Sequence, residues 1–471
     1  MFDLLITNGT LVTAEMTVQA DLGVINGKVA AVLTPGTPCE TQERLDAAGC
    51  YVLPGAIDAH VHLHMRTANG YTADDWRTGT TAAALGGVTA VVDFVETTPG
   101  ESLQDALGRR LEETREAVID FGLHMTIQPD EDPHPQTGFM RRVSDARLAQ
   151  ISAASEAGCV TFKLYMAYPG LQVRDGDLLR AMCAIREVNG LACIHAENGE
   201  LIEVLRQAAG RAGESLHDTI LHARTRPTMN EYEACTRAVT CAALSGSRIL
   251  IFHIGCAAAA QVVAGARQRG LPNVFGETCP QYLALTEDAL KGSTGCRWIC
   301  APPLRPQADQ DAMWRLLTSH VLDIISTDHC PFTLAQKDEG SDDFRLVPGG
   351  VPGIETRLGL MHELGVRRGR LSLNDWVRLC CTRPAELTGL VSKGRIAPGY
   401  DADLVVFDPA LHKSLEASEL HSAIDWSAYE GMTCTGWPRD VVSRGELIVR
   451  QQRFVGHTGR GHFVRRAIEL Q

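Results

Sequence analysis

No stretch of this chain reaches the about 18 uninterrupted apolar residues that a membrane-spanning helix needs, so no membrane span is expected. There is no excess of positive charge. Asp and Glu total 57 against 44 Lys and Arg, and the formal net charge of -13 argues against nucleic acid or an anionic membrane as the main partner. No CxxC pair marks a structural zinc site. The 15 cysteines are odd in number and lack a repeating spacing, and Cys380 and Cys381 are adjacent. Reduced thiols are therefore expected rather than a disulfide framework. The first residues, Met1-Phe2-Asp3-Leu4-Leu5, show no basic segment followed by an apolar one. No signal peptide is expected, and the expected location is cytoplasmic.

What is present is an ordinary globular balance, 45% hydrophobic and 21% charged, in 471 residues. That length buries a large core and suggests more than one domain. Residues 1–53 read as all-β, with short apolar runs at Leu4–Ile6, Leu11–Val12, Leu22–Ile25 and Val29–Val32. Asn8-Gly9 and Asn26-Gly27 punctuate them as hairpin signals. Residues 393–450 have the same character, so the two chain ends are expected to form one small β-sandwich. Residues 54–392 alternate strand-like and helical runs, the pattern of a (β/α)8 TIM-type barrel. The strand-like runs are Ala90–Phe94, His124–Ile127, Val160–Leu164, Ala192–His195, Ile249–His253 and Leu322–Ser326. Helical stretches include Leu103–Ala117, Gly199–Ala209 and Glu231–Leu244. Residues 451–471 are left as a C-terminal tail, a candidate oligomer arm.

Six candidate ligands accompany those strands: His60, His62, Lys163, His195, His253 and Asp328. In barrels of this kind catalytic groups sit at the C-terminal strand ends, and five of the six fall at or just past one. On a strand, His60 and His62 face the same way, so both can bind one ion. A lysine within the apolar run Thr161-Phe162-Lys163-Leu164-Tyr165 is costly unless neutralised. Carboxylation by carbon dioxide would turn it into a carbamate able to bridge two cations. His195 and His253 each end an apolar run and could supply nitrogen ligands to a second ion. Asp328, in Ser326-Thr327-Asp328-His329-Cys330, could take a proton from metal-activated water and pass it on. His124, His222, His320 and His329 are competitors of lower rank, because each starts a strand, lies in a helical stretch, precedes a strand or directly follows Asp328.

Together these segments resemble the amidohydrolase superfamily, in its cyclic-amidase branch of hydantoinases and dihydropyrimidinases. The resemblance runs from Asp58-Ala59-His60-Val61-His62 through Phe162–Tyr168, Ile194–Asn198, Glu277–Tyr282, Pro302–Arg305 and Thr327–Phe332. It continues into Tyr429-Glu430-Gly431 and Gly459–Phe463. It implies two Zn2+ ions: one on His60, His62 and Asp328, the other on His195 and His253, bridged by N6-carboxylated Lys163. It also implies that Tyr168, five residues after the lysine, polarises the scissile carbonyl. Substrate would be held through main-chain groups at Ala301 and Gly349. At those places the family often has serine and a Pro-Asn-Gly segment, whereas this chain has Ala301 and Pro348-Gly349-Gly350.

The reaction implied is hydrolytic opening of a cyclic ureide or imide, giving an N-carbamoyl amino acid from a hydantoin or dihydropyrimidine, by an enzyme of a branch that commonly forms homotetramers. Allantoinase or another cyclic imidase is the alternative on the same scaffold. Dihydroorotase fits less well. His64 stands where that family places a carboxylate-binding arginine, although Arg66 lies two residues on. A non-catalytic scaffold, like the dihydropyrimidinase relatives that lack metal ligands, is a remote alternative, since all six ligand positions are filled. The segment Leu63–Trp76 is expected to form a loop over the site, with Met65, Tyr71 and Trp76 facing a ring substituent.

Overall fold

The computed structural model describes residues 1–67, 70–132 and 141–469. Both chain ends contribute to one hydrogen-bonded network of nine strands. From the N-terminal end come β1 (Phe2–Val12), β2 (Thr17–Ile25), β3 (Lys28–Leu33), β4 (Thr41–Asp46) and β5 (Tyr51–Pro54). The barrel then begins with β6 (Ala56–Asp58), followed by a small ribbon of β7 (Arg66–Thr67) and β8 (Gly70–Tyr71). The remaining barrel strands are β9 (Val88–Val95), β10 (Asp120–Thr126), β11 (Thr161–Tyr165), β12 (Leu191–His195), β13 (Arg248–Ile251), β14 (Val274–Thr278) and β15 (Ile324–Ile325). The C-terminal end returns β16 (Leu404–Ser414), β17 (Thr433–Ser443), β18 (Glu446–Arg450) and β19 (Arg453–Phe454).

The chain ends meet where β16 pairs antiparallel with β5, while β4 branches from β1. Apolar side chains from both ends, among them Leu4, Ile6, Leu22, Val52, Leu404 and Val442, fill one buried cluster. Asn26 and Gly27 both adopt positive φ between the paired residues Ile25 and Lys28, the geometry of a two-residue hairpin turn. Asn8-Gly9 is not a turn, contrary to expectation. Asn8 (φ 65°) lies at an irregularity inside the single strand β1. Its backbone N–H and its amide reach Asp21 and Asp46 respectively, so side-chain bonds replace the ladder there.

The eight barrel strands are parallel and follow chain order, from β6 and β9 through to β15. Past their ends, the first and last strands approach at a parallel bridge between Val61 and His329, where the His62 N–H donates to the His329 carbonyl at 2.8 Å. The barrel interior holds Phe94, Cys193, Leu250, Phe252, Phe275 and Ile324 in one cluster. A second, larger core lies between strands and helices, with Val91 and Val95 on the outer side of β9. Helices follow the alternation expected, for example Leu103–Glu113, Gly199–Arg211 and Thr228–Ser245. Among the described residues no helix is long and apolar enough to cross a membrane.

The described part of the tail runs along its own chain. The Phe121 N–H donates to His462, and those of Val464 and Ala467 donate to Phe121 and Gly389. Ile468 joins the barrel-interior cluster. Leu470 and Gln471, the last of the residues assigned to an oligomer arm, lie outside the described residues.

Candidate active site

The six candidate ligands stand at one end of the barrel. His60 and His62 follow β6, Lys163 is the third of five residues in β11, and His195 is the last of β12. His253 and Asp328 lie just beyond β13 and β15. Parallel strands bring all their C-terminal ends to one face, so residues up to 268 positions apart in sequence converge there.

Asp328 Oδ1 lies 3.1 Å from His60 Nε2 and 3.2 Å from His62 Nε2. His195 Nδ1 faces His253 Nε2 at 2.9 Å. Donor atoms of His60, His253 and Asp328 all fall within 4.8 Å of one another. Two glutamates set the imidazole rings. His60 Nδ1–H donates to Glu277 Oε1 at 2.7 Å, which leaves the Nε2 lone pair facing inward. His195 Nε2–H donates to Glu197 Oε2 at 2.9 Å, leaving the Nδ1 lone pair turned toward His253, and Arg226 holds Glu197 in turn. Glu277 Oε1 also accepts the His253 backbone N–H at 3.0 Å and so ties the two halves of the site together. Asp58 accepts the Thr327 N–H (3.0 Å) and hydroxyl (2.7 Å), bracing the residue before Asp328.

Burial, then the neighbouring Lys163 and His62, pulls the His60 pKa well below its ordinary value. Burial, then His195 and Lys163, does the same to His253. Burial also lowers His195, against an opposing pull from Glu197. Neutral imidazole is the form that binds a metal. Lys163 is 1% exposed, and its Nζ sits 4.4, 4.8 and 5.2 Å from the ring centroids of Phe252, Tyr165 and Phe94. Burial pushes its pKa down to about 8. Among the described residues no carboxylate forms an ion pair with it.

These residues fit a metal centre. His60 Nε2, the nitrogen turned toward Asp328, is buried without a hydrogen-bond partner. Native interiors rarely leave such groups unmatched. His253 and Asp328, at φ 39° and 51°, hold the left-handed region that non-glycine residues avoid, at about 1–3 kcal/mol each. The competing histidines are engaged elsewhere. His124 donates to the Ala59 carbonyl (2.9 Å), His222 to that of Cys300 (2.7 Å) and His329 to Asp74 (3.0 Å). The His320 side chain is exposed.

Tyr168, also at positive φ, packs its ring against His195 (centroids 4.9 Å apart), with the Arg226 guanidinium 5.6 Å from the ring. Burial raises its phenol pKa, so the hydroxyl stays a donor. Ala301 is half-buried and Gly349 exposed, and a fully buried lysine braces both segments. Lys337 Nζ donates to the carbonyls of Ile299 (3.0 Å) and Pro348 (2.7 Å), while Gly350 N–H reaches Ile299 O at 2.9 Å. The freedom of glycine at 349 is thereby restrained on both sides.

Met65 is half-buried, and Tyr71 is half-exposed with its ring stacked on His64 at 4.3 Å. Trp76 corrects the sequence expectation. It opens the helix Trp76–Leu85, is 2% exposed and packs on Phe121, so it offers no surface to a substituent. Ala68 and Asn69 of that loop lie outside the described residues.

Sequence reasoning missed Glu197, Glu277 and Lys337. Glu197 stands two residues after His195, a spacing that could have flagged it. Glu277 sits in β14, a strand the apolar pattern did not reveal. Lys337 lies in a short helix with no local signal.

Residues 51–448 match the model of the amidohydrolase family. Over 470 residues the chain is 41% identical to the D-hydantoinase of Geobacillus stearothermophilus, covering 98% of this chain and 96% of that one. It is 36% identical to the D-phenylhydantoinase of Escherichia coli O1:K1 / APEC, with 98% of each covered. The crystal structure of dihydropyrimidinase from Brevibacillus agri NCHU1002 superposes with a TM-score of 0.94 at 38% identity, over 99% of both chains.

Proposed function

The chain belongs to the amidohydrolase family, and from that premise we propose that it opens cyclic ureides, 5-substituted hydantoins or dihydropyrimidines, to N-carbamoyl amino acids. The observation that carries this reading is the convergence of His60, His253 and Asp328 donor atoms within 4.8 Å, beside a buried Lys163 without an ion-pair partner. His60, His62 and Asp328 would hold one Zn2+, and His195 and His253 the other. Lys163 would bridge them as its N6-carboxylated form, since a pKa of about 8 makes the neutral amine available to carbon dioxide. When bound, the two cations would supply water acidic enough to be a nucleophile near neutral pH and would polarise the ring carbonyl.

The protein's own groups do the rest. Asp328, braced through Thr327 and Asp58, takes the proton of the attacking water and delivers it to the leaving ring nitrogen. The Tyr168 hydroxyl donates to the oxygen of the scissile carbonyl as negative charge develops there. Main-chain groups at Ala301 and Gly349 hold the ring in the segments that Lys337 cross-links, and Met65 and Tyr71 lie toward its substituent. Assembly into a homotetramer, as the branch commonly shows, belongs to the same reading. So does a cytoplasmic location.

A competition assay tests it. Zinc-loaded protein should open 5-substituted hydantoins or dihydrouracil with higher kcat/KM than dihydroorotate or allantoin. Preference for dihydroorotate would mean that Arg66 reaches the pocket, and preference for allantoin would favour the imidase alternative.

A further inference from the structure

Glu96 has no part in the site described so far. It directly follows β9, whose alternation sets its direction. Asp93 and Val95 face outward: Asp93 receives Leu63 N–H (2.7 Å) and pairs with Arg110 (2.7 Å), and Val95 lies in the core beneath the helices. Phe94 faces inward, its ring 4.6 Å from that of His62 and 5.0 Å from that of His60. Glu96 shares the parity of Phe94 and stands one step nearer the mouth.

The segment is pinned. The Glu96 carbonyl accepts from Arg109 at 2.7 Å, and the Thr97 hydroxyl accepts from Gln128 at 2.6 Å. The Glu96 carboxylate is half-buried, yet among the described residues it makes no hydrogen bond or ion pair. The nearby arginines are committed: Arg109 to Glu101 and Glu113, and Arg110 to Asp93 and Glu113. Burial raises its pKa, as expected of a carboxylate whose charge lacks a partner.

From this placement we infer that Glu96 is a specificity-determining residue that accepts a cationic group, ammonium, guanidinium or amidinium, carried on the substituent of the substrate ring. The inference rests on the cyclic-ureide reading and narrows it. A carboxylate at the mouth also disfavours an acidic substituent such as that of dihydroorotate.

The test uses full-length, metal-loaded protein and three substrates: hydantoin, 5-(4-aminobutyl)hydantoin and its near-isostere 5-pentylhydantoin. Wild type should prefer the aminobutyl over the pentyl ring by about 10- to 100-fold in kcat/KM, the range for a hydrogen bond to a charged group, with the difference mainly in KM. Glu96→Gln should erase that preference while leaving hydantoin turnover and bound metal unchanged. Glu96→Leu should reverse it. An unchanged preference in Glu96→Gln, or a wild type that favours the pentyl ring, overturns the inference while hydantoin opening still supports the cyclic-ureide reading. Loss of metal in Glu96→Gln also overturns it, by placing Glu96 in the metal centre. Failure to open any of the three rings brings down the cyclic-ureide reading and this inference together.

Discussion

Lys163 and Lys393 are both buried, at 1% and 2% exposure, at opposite ends of the same barrel, and their surroundings differ completely. Lys393 meets three carboxylates, Asp120, Asp403 and Asp401, at 2.8, 2.7 and 3.1 Å. Burial opposes its charge, but those carboxylates hold its pKa above the usual lysine value. Lys163 meets aromatic faces instead, and burial lowers its pKa to about 8. Lys393 also joins three parts of the fold, because Asp120 begins β10 and Asp403 accepts the Arg444 N–H at 2.7 Å. A buried charge with matched partners is architecture. A buried amine without them is what the proposed carbamate bridge requires, and the strained backbone of His253 and Asp328 belongs to the same candidate site.

The sharpest break of this comparison removes each lysine in turn. Lys163→Ala should lose most bound metal and nearly all activity, the largest effect expected, with short carboxylic acids restoring some rate by filling the gap between the cations. Normal metal content and turnover in that variant would end the bridging assignment. Metal-free Lys163→Met should nevertheless be at least as stable as metal-free wild type, because it removes an unpaired buried amine.

Lys393→Met should do the opposite. It leaves three carboxylates facing one another and should cost about 3–5 kcal/mol in denaturant unfolding, with activity per folded molecule retained. Equal stability losses for the two methionine variants would show that the lysines do not differ in kind.

Tyr168→Phe sharpens the picture within the active end. It should keep both metals and lose on the order of 10²–10³-fold in kcat, the loss typical of one oxyanion donor. Wild-type turnover would make the tyrosine a wall of the pocket.

The smallest effect is in pH. Burial lowers His222 to about 3 and draws His60 and His253 well below their ordinary values. Below about 6.5 the unfolded chain therefore takes up protons that the native state refuses. Metal-free protein should be most stable above that value and lose stability steadily as pH falls toward 3, as thermal melts across the range would show. The lysines diverge at the alkaline end. Stability tied to Lys393 is present below about 10.5 and lost as pH rises through its raised folded value. The penalty at Lys163 is relieved between 8 and about 10.5.

Much of this was legible in the chain. The alternation of apolar runs with helical stretches specified the parallel barrel, because a strand buried on both faces must be continuously apolar. The His60-x-His62 spacing and the position of five of the six candidate ligands at or just past a run's end anticipated their meeting at one end of the barrel, because parallel strands bring their C-terminal ends to one face. Lys163 stood out only in company: alone, a lysine in an apolar run reads as a stem buried with its head reaching water, and it was the four histidines in matching positions that marked it.

Tertiary structure decided the rest. Lys393 carries no sequence signal that separates it from Lys163, since its partners come from Asp120 as well as the nearby Asp401 and Asp403. Asn8-Gly9 has the composition of a turn, yet bonds to Asp21 and Asp46 hold it inside a strand. Trp76 looked available to substrate until its helix turned it into the core. Glu277 orients the His60 ring, and Lys337 braces the two segments assigned to ring binding, from positions that local pattern does not mark, whereas Glu197, which orients His195, had only its two-residue spacing to show it. Local pattern determines which residues can face one another along a strand or helix. Which charges meet across the barrel is set by packing between segments hundreds of residues apart, and that alone separates the lysine with three carboxylate partners from the one with none.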